Sequence, residues 1–328
     1  MNNYYVIMII ASQYLSVFLP YAYSQSCCSG GVPISNNLGL PSAEAKAVQF
    51  ALSYDLNLLN TLKEGSSKLN DKSRKRLTHS ILLQSGYVIN TRWSAEIFLS
   101  WIRQERIIKQ FGNTNKTSTR GIGDGVVLIK YRLLSDKQER MNWFIGAGAK
   151  FPTGLSDKKD KNNISLNADL QPGSGAFDVI AWSQILKNSK QRPSMTFSGS
   201  ATFTAKGKNR NYLGSQVYQF GNEWLVIAGV ADQFIASGFL WGASIQTIYR
   251  HASQDKNDGE NNPGTGGRWV FIRPGINVKP GISSTINISA TVPAYGWVRD
   301  TQLSPTIRFN AGFYFEIPGQ KQFKTSLK

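Results

Sequence analysis

The rarest reactive side chains of this 328-residue sequence are two histidines and two cysteines. His251 and Ser253 stand two residues apart, so on an extended strand their side chains share a face. That spacing suits a base and a nucleophile if a third group orients the imidazole. The continuation Gln254-Asp255-Lys256 has loop composition, and no third partner is marked. Acyl hydrolysis is therefore kept only as a minor alternative. His79 lies at the beginning of a strand pattern and suits an interfacial girdle.

Cys27 and Cys28 are adjacent and have no nearby histidine, which makes a poor metal site. Ser24-Gln25-Ser26-Cys27 is a degenerate lipobox, so Cys27 is a candidate for lipidation. The pair is equally a candidate for a disulfide in an oxidising compartment, or a thiol pair in a flexible leader. Gly121-x-Gly123-x-Gly125 and Gly146-x-Gly148 have the glycine spacing of phosphate-binding loops. Neither opens a helix and both run into alternating strands, so no nucleotide site follows. Asp124 reads as a turn or strand-start residue at a rim. No catalytic residue, cofactor or metal is implied.

Charge offers a different chemistry. Lysine and arginine number 37 against 20 acidic residues, a formal net charge of +17. No basic helix or finger appears and the charges are scattered, which argues against nucleic acid as a partner. Loop cations such as Lys63, Lys68 and Lys72, or Arg106, Lys109, Lys116 and Arg120, suit the phosphates of lipopolysaccharide. A second set, Lys130, Arg132, Lys150, Arg273 and Arg308 with Glu96, Asp178 and Glu223, falls on the polar face of strand patterns and is the candidate lining of a lumen.

The elements that must carry these groups are strands. After Ala45 the apolar period is two rather than 3.6. Val48, Phe50, Leu52 and Tyr54 alternate with Gln49, Ala51, Ser53 and Asp55, and the pattern recurs about twelve times to Phe315. Connections alternate long and short throughout, the long ones near 57–76, 106–121, 152–176, 205–217, 251–268 and 294–305. An even number of segments about 10 residues long with that alternation is the sequence form of an outer-membrane barrel. The mean hydropathy of −0.27 excludes only helical spans. The 8 Trp, 13 Tyr and 17 Phe, and the 30 Gly, belong to girdles and close-packed strands. Trp93, Trp101, Trp143, Trp224, Trp241 and Trp269 are expected at the interfaces, and the inward face is expected to be polar.

The reading is an all-β, antiparallel, up-and-down transmembrane barrel of about 12 strands. Residues 1–24 are expected to be a secretory signal, ending at Ala22-Tyr23-Ser24. Residues 25–45 form a periplasmic leader or small plug, 46–317 the barrel and 318–328 a tail. Such a chain is exported to the outer membrane of a Gram-negative cell, its partners being membrane lipid, lipopolysaccharide, the barrel assembly machinery and small solutes.

Gly121-Ile122-Gly123-Asp124-Gly125 running into Ile129-Lys130-Tyr131-Arg132-Leu133 is followed by Gly146 to Gly154, by Gly173-Ser174-Gly175-Ala176-Phe177-Asp178 and by the closing alternation Arg308 to Phe315. In this order they resemble a family of outer-membrane channel proteins associated with the meta-pathway of phenol degradation. The resemblance implies a barrel that passes small solutes, aromatic or apolar ones among them, and supplies no catalytic or binding residues. The alternatives are a non-conducting structural or adhesion barrel and, last, the hydrolase.

Overall fold

The structure, a computed structural model, describes residues 40, 43, 45–136 and 141–319. The signal, Cys27, Cys28 and the end of the tail lie outside these residues. Seventeen strands follow in the described chain. They are β1 (Val48–Gly65), β2 (Ser67–Lys68), β3 (Arg74–Val88), β4 (Trp93–Gln110), β5 (Asn113–Ile122), β6 (Gly125–Asp136), β7 (Met141–Phe151) and β8 (Asp178–Asn188). Then come β9 (Thr196–Ala205), β10 (Lys208–Tyr212), β11 (Gln216–Gln219), β12 (Glu223–Ala236), β13 (Phe239–Ala252), β14 (Lys256–Asn257), β15 (Glu260–Asn261), β16 (Gly267–Lys279) and β17 (Ser284–Ile317).

One sheet runs β17-β16-β13-β12-β9-β8-β7-β6-β4-β3-β1, and β1 pairs back onto β17 to close a barrel. Every pairing is antiparallel, the closed sheet joining strands in their order around the barrel, and no crossover helix stands among the described residues. β17 is two strands in one. Its first part pairs with β16 as far as Val298, and its second part pairs with β1 from Val298 to Ile317. Thirty-four residues in one line would reach about 110 Å, yet the Glu316 amide donates to the Ser283 carbonyl at 2.9 Å. The chain therefore reverses, and Asp300, with φ of 56°, sits at the tip. Counting both passes, twelve strands encircle the lumen.

The long connections differ from the sequence reading. Residues 57–65 and 106–110 extend β1 and β4, and 294–305 is strand on both sides of the tip. These ladders rise past the lipid-facing band, so a polar sequence there marks emergence into water rather than the end of pairing. A further small sheet, β10-β11-β14-β15, is built from the connections on the same side.

Faces alternate as the period requires. Phe50, Leu52, Tyr54, Ile81, Leu83, Ile97, Leu99, Ile129, Ile245 and Phe313 face outward and are exposed. Trp93 and Trp101 bracket this band on β4, about 26 Å apart along the strand, close to the apolar belt of a tilted barrel wall.

Candidate functional site: the barrel interior

All eight charged residues singled out in the sequence occupy inward positions: Glu96, Lys130, Arg132, Lys150, Asp178, Glu223, Arg273 and Arg308. Most are tied to a neighbour, as buried charges must be. Glu96 pairs with Lys130, and Arg250 donates to Glu223 at 2.8 Å. Arg308 donates to both oxygens of Asp55, at 2.7 and 2.6 Å, while Arg273 donates to Gln246 at 2.8 Å. The Arg132 guanidinium lies 5.3 Å from the Phe144 ring centroid.

Toward the long-loop end, Asp124 is the hub. Its Oδ2 accepts from Lys150 Nζ at 2.7 Å, from the Ser174 amide at 2.9 Å and from the Ser174 hydroxyl at 2.6 Å. Its Oδ1 accepts from the Gly154 amide at 3.1 Å. Lys150 also pairs with Asp178 at 3.2 Å, and Lys206 with Asp178 at 3.3 Å. Two carboxylates thus meet two ammonium groups, all buried. Asp124 read as a rim residue in sequence; it lies fully buried because the segment 152–177 folds over it. That segment needs glycine at its crossing: a Cβ on Gly173 would stand 2.3 Å from the Gly154 carbonyl oxygen.

The same segment spans the mouth. Its short 3-10 turn, Ala168–Leu170, is wholly buried, and Asp169 accepts from Arg76 of the β3 wall at 2.8 Å. Thr119 of β5 donates to the Leu170 carbonyl at 2.6 Å, and Gln104 of β4 donates to that of Gln171 at 3.3 Å. Tyr212, Tyr218 and Phe220 pack on Ala168 from above. Tyr218 donates to Asp255 at 2.6 Å; burial first, then the Asp255 charge, pushes its phenol far above the ordinary range.

At the short-turn end Leu40 packs against the wall. The Leu40 amide donates to Glu96 at 3.0 Å, and Lys130 donates to the Leu40 carbonyl at 3.1 Å. Gln84 completes the Glu96 carboxylate at 2.9 Å. Leu40 is buried, and a Cβ on Gly86 would stand 2.6 Å from its Cδ1. Beside it a recess opens to the turn side, lined by Val88, Arg92, Ser94, Lys130, Arg132 and Gln184 among others.

The expected polar interior is only half right. Phe98, Val126, Leu128, Phe144, Ile180 and Trp182 point inward from β4, β6, β7 and β8 and pack as one apolar cluster. A second cluster joins Leu225, Ile227, Ile248, Trp269, Phe271 and Val298 on β12, β13, β16 and β17. Trp269 is therefore no girdle residue: it is fully buried, donates to Ser304 at 3.0 Å and carries the Arg250 guanidinium at 5.1 Å. Its place two residues in from the strand start resembled an interfacial position, and only its parity with Phe271 and Arg273 marked it as inward. What stays partly accessible is a strip of small polar residues: Ser53, Ser198, Ser200, Ser244, Ser289, Asn277 and Asn310.

His251 faces outward, opposite Trp224 and Arg268. Its Nδ1 has no hydrogen-bond partner among the described residues, and Ser253 lies beyond the strand end, its amide bonded to Asn222. No oriented base stands beside a nucleophile there. His79 also faces outward, where its Nδ1 lies 2.7 Å from the Tyr54 hydroxyl.

A closed antiparallel barrel with an apolar outer belt and a partly filled interior defines a transmembrane β-barrel of the outer-membrane kind. The sequence pattern of the MetA-pathway of phenol degradation family matches residues 80–309, and the chain belongs to that family. It is similar in structure to the COG4313 outer membrane channel from Pseudomonas putida F1, with TM-score 0.65 and 12% identity over 85% of this chain and 97% of that one. A FadL homologue of Pseudomonas aeruginosa aligns at TM-score 0.43 and 10% identity, over 82% and 90% of the two chains. The CymD monoaromatic hydrocarbon channel aligns at 0.42 and 7%, over 84% and 89%. No curated protein sequence matches the chain.

Proposed function

We propose that this barrel is an outer-membrane channel for small solutes, aromatic or apolar ones among them, that cross without a cofactor. The observation that carries the reading is the accessible strip of serine and asparagine on β9, β13, β16, β17 and β1, adjoining two inward apolar clusters. A solute with an apolar body and a polar edge finds a partner for each there. Membership in a family described by phenol degradation, and the likeness of fold to an outer-membrane channel, support the same reading. The eight inward charged residues then line or brace the solute path.

The path is interrupted at both ends, by segment 152–177 at the loop side and by Leu40 at the turn side. Passage requires one of them to move: Leu40 is held by backbone hydrogen bonds to Glu96 and Lys130, and segment 152–177 by the Arg76–Asp169 ion pair, by hydrogen bonds to Asp124 and by packing of Ala168 on Tyr212, Tyr218 and Phe220. This closure is also what favours the rival reading, a non-conducting barrel. Flux of phenol-sized solutes into liposomes, with and without Asp124→Ala, separates the two. A channel is expected to show slow flux that rises severalfold when the Asp124 anchor is removed. Absence of flux in both proteins, each folded by heat-modifiable migration, would leave the non-conducting barrel.

A further inference from the structure

On β3, β4 and β5 the outward face changes character abruptly at the top of the lipid belt. Tyr54, Ile81, Trp101 and Ile122 lie in one cross-strand row, all apolar or aromatic. The next row upward is Leu56, His79, Arg103 and Arg120. Parity places Lys75, Lys109 and Lys116 on the same face in the rows above. Five cations thus share one small outward surface, and Glu105 is the carboxylate set among them.

Arg103 and Arg120 are direct cross-strand neighbours, an arrangement that repels unless an anion joins it. Glu105 does not supply enough. It is already held by Arg103 at 2.7 Å and Lys116 at 3.1 Å, and Arg120 forms no ion pair among the described residues. The Arg103 and Lys116 side chains are 54% and 57% exposed, so their remaining donors point to the surroundings. The belt below fixes what those surroundings are. A side chain one row above Trp101, on the face that meets lipid, sits at the depth of the headgroups.

Elsewhere on the outer face aromatic rings pair with each other or carry a cation. Phe203 and Trp224 stack at 4.5 Å and Phe151 and Phe177 at 5.4 Å, and Arg268 lies over Trp297 at 4.9 Å. Paired guanidiniums match phosphate oxygens, and guanidinium–phosphate bonds are among the stronger charged contacts. We propose that Arg103 and Arg120, with Lys116, form a binding site for the phosphate groups of an outer-leaflet lipid of the lipid A type, holding one side of the barrel to the membrane surface.

The test uses the full chain folded in detergent, titrated with bis-phosphorylated lipid A, with the same lipid stripped of phosphate, and with inorganic phosphate. The wild type is expected to bind the phosphorylated lipid, and Arg103→Gln/Arg120→Gln to weaken that binding roughly tenfold or more. Arg268→Gln, whose cation sits on a tryptophan, is expected to leave it unchanged. Lys116→Gln alone serves if the double variant does not reach the heat-modifiable folded form, with a smaller loss expected. Equal affinity in wild type and variants, or equal binding of the dephosphorylated lipid, overturns the site. Displacement of the lipid by inorganic phosphate at comparable concentration overturns the lipid assignment, because a free anion would then be the ligand.

Discussion

The two halves of the barrel interior solve the problem of inward side chains in opposite ways. From β4 to β8 the wall is filled. Large apolar groups interlock, glycines at 146 and 148 make room for Trp182 and Leu128, and the charges at each end are neutralised in pairs. From β9 through β17 to β1, inward serine and asparagine stay partly accessible beside the second apolar cluster. Closing segment 152–177 and Leu40 both dock on the filled half, through Asp124 and Lys150 at one end and Glu96 and Lys130 at the other. The second apolar cluster braces β12, β13, β16 and β17 beside the accessible strip.

The difference can be broken most severely at Lys150. Replacing it by methionine leaves Asp124 and Asp178 buried with a cation removed, and losing one partner of a buried pair costs about 3–5 kcal/mol. The expected result is a clear fall in the denaturant midpoint of the detergent-folded barrel, together with easier protease access to residues 152–177. An unchanged midpoint would mean that the ion network does not brace the filled half.

A paired substitution sharpens the contrast more gently. Trp182→Ala on the filled half removes a buried ring, at a cost of about 3 kcal/mol or more. Ser200→Ala, on the accessible strip, is expected to stay within about 0.5 kcal/mol. Comparable losses at the two sites, measured by the same unfolding titration, would erase the distinction between the halves.

The smallest effect belongs to neither wall. In the loop before β3, the Ser73 amide and hydroxyl donate to Asp71 at 2.6 and 2.8 Å and hold its carboxyl below the usual range. A depressed carboxylate contributes in full above its unfolded value of about 4, and that contribution is lost as pH falls through the lower folded value. Amide exchange at Ser73 should therefore quicken below that value in the wild type. Ser73→Ala, already lacking the hydroxyl bond, should change less with acid. Identical acid responses would show that the Ser73 hydroxyl does not hold that carboxylate down.

Much of this was legible in the sequence. The period-two runs gave the strands and their faces, since parity is set by the covalent geometry of an extended chain. Gln49 and Asp55 read as inward and Phe50 and Leu52 as outward for that reason alone. The alternation of long and short connections gave the up-and-down order. Harder to read were the strand ends, because β1 and β4 keep pairing above the membrane where their residues no longer need to be apolar. Trp182 and Trp269 were unreadable as interior residues while the interior was taken to be wet. An apolar residue may face lipid or a filled lumen with the same pattern, and local sequence does not distinguish the two.

The sequence by itself therefore determined a barrel: its antiparallel strands, their approximate number and the alternation of their faces. Tertiary structure decided which charges meet and what fills the space. Asp124 is 50 residues from Ser174 and 30 from Gly154, and Leu40 is 56 from Glu96. Such pairings depend on where a long loop and Leu40 come to lie, and that depends on the shape of the enclosed volume, which exists only once the sheet has closed.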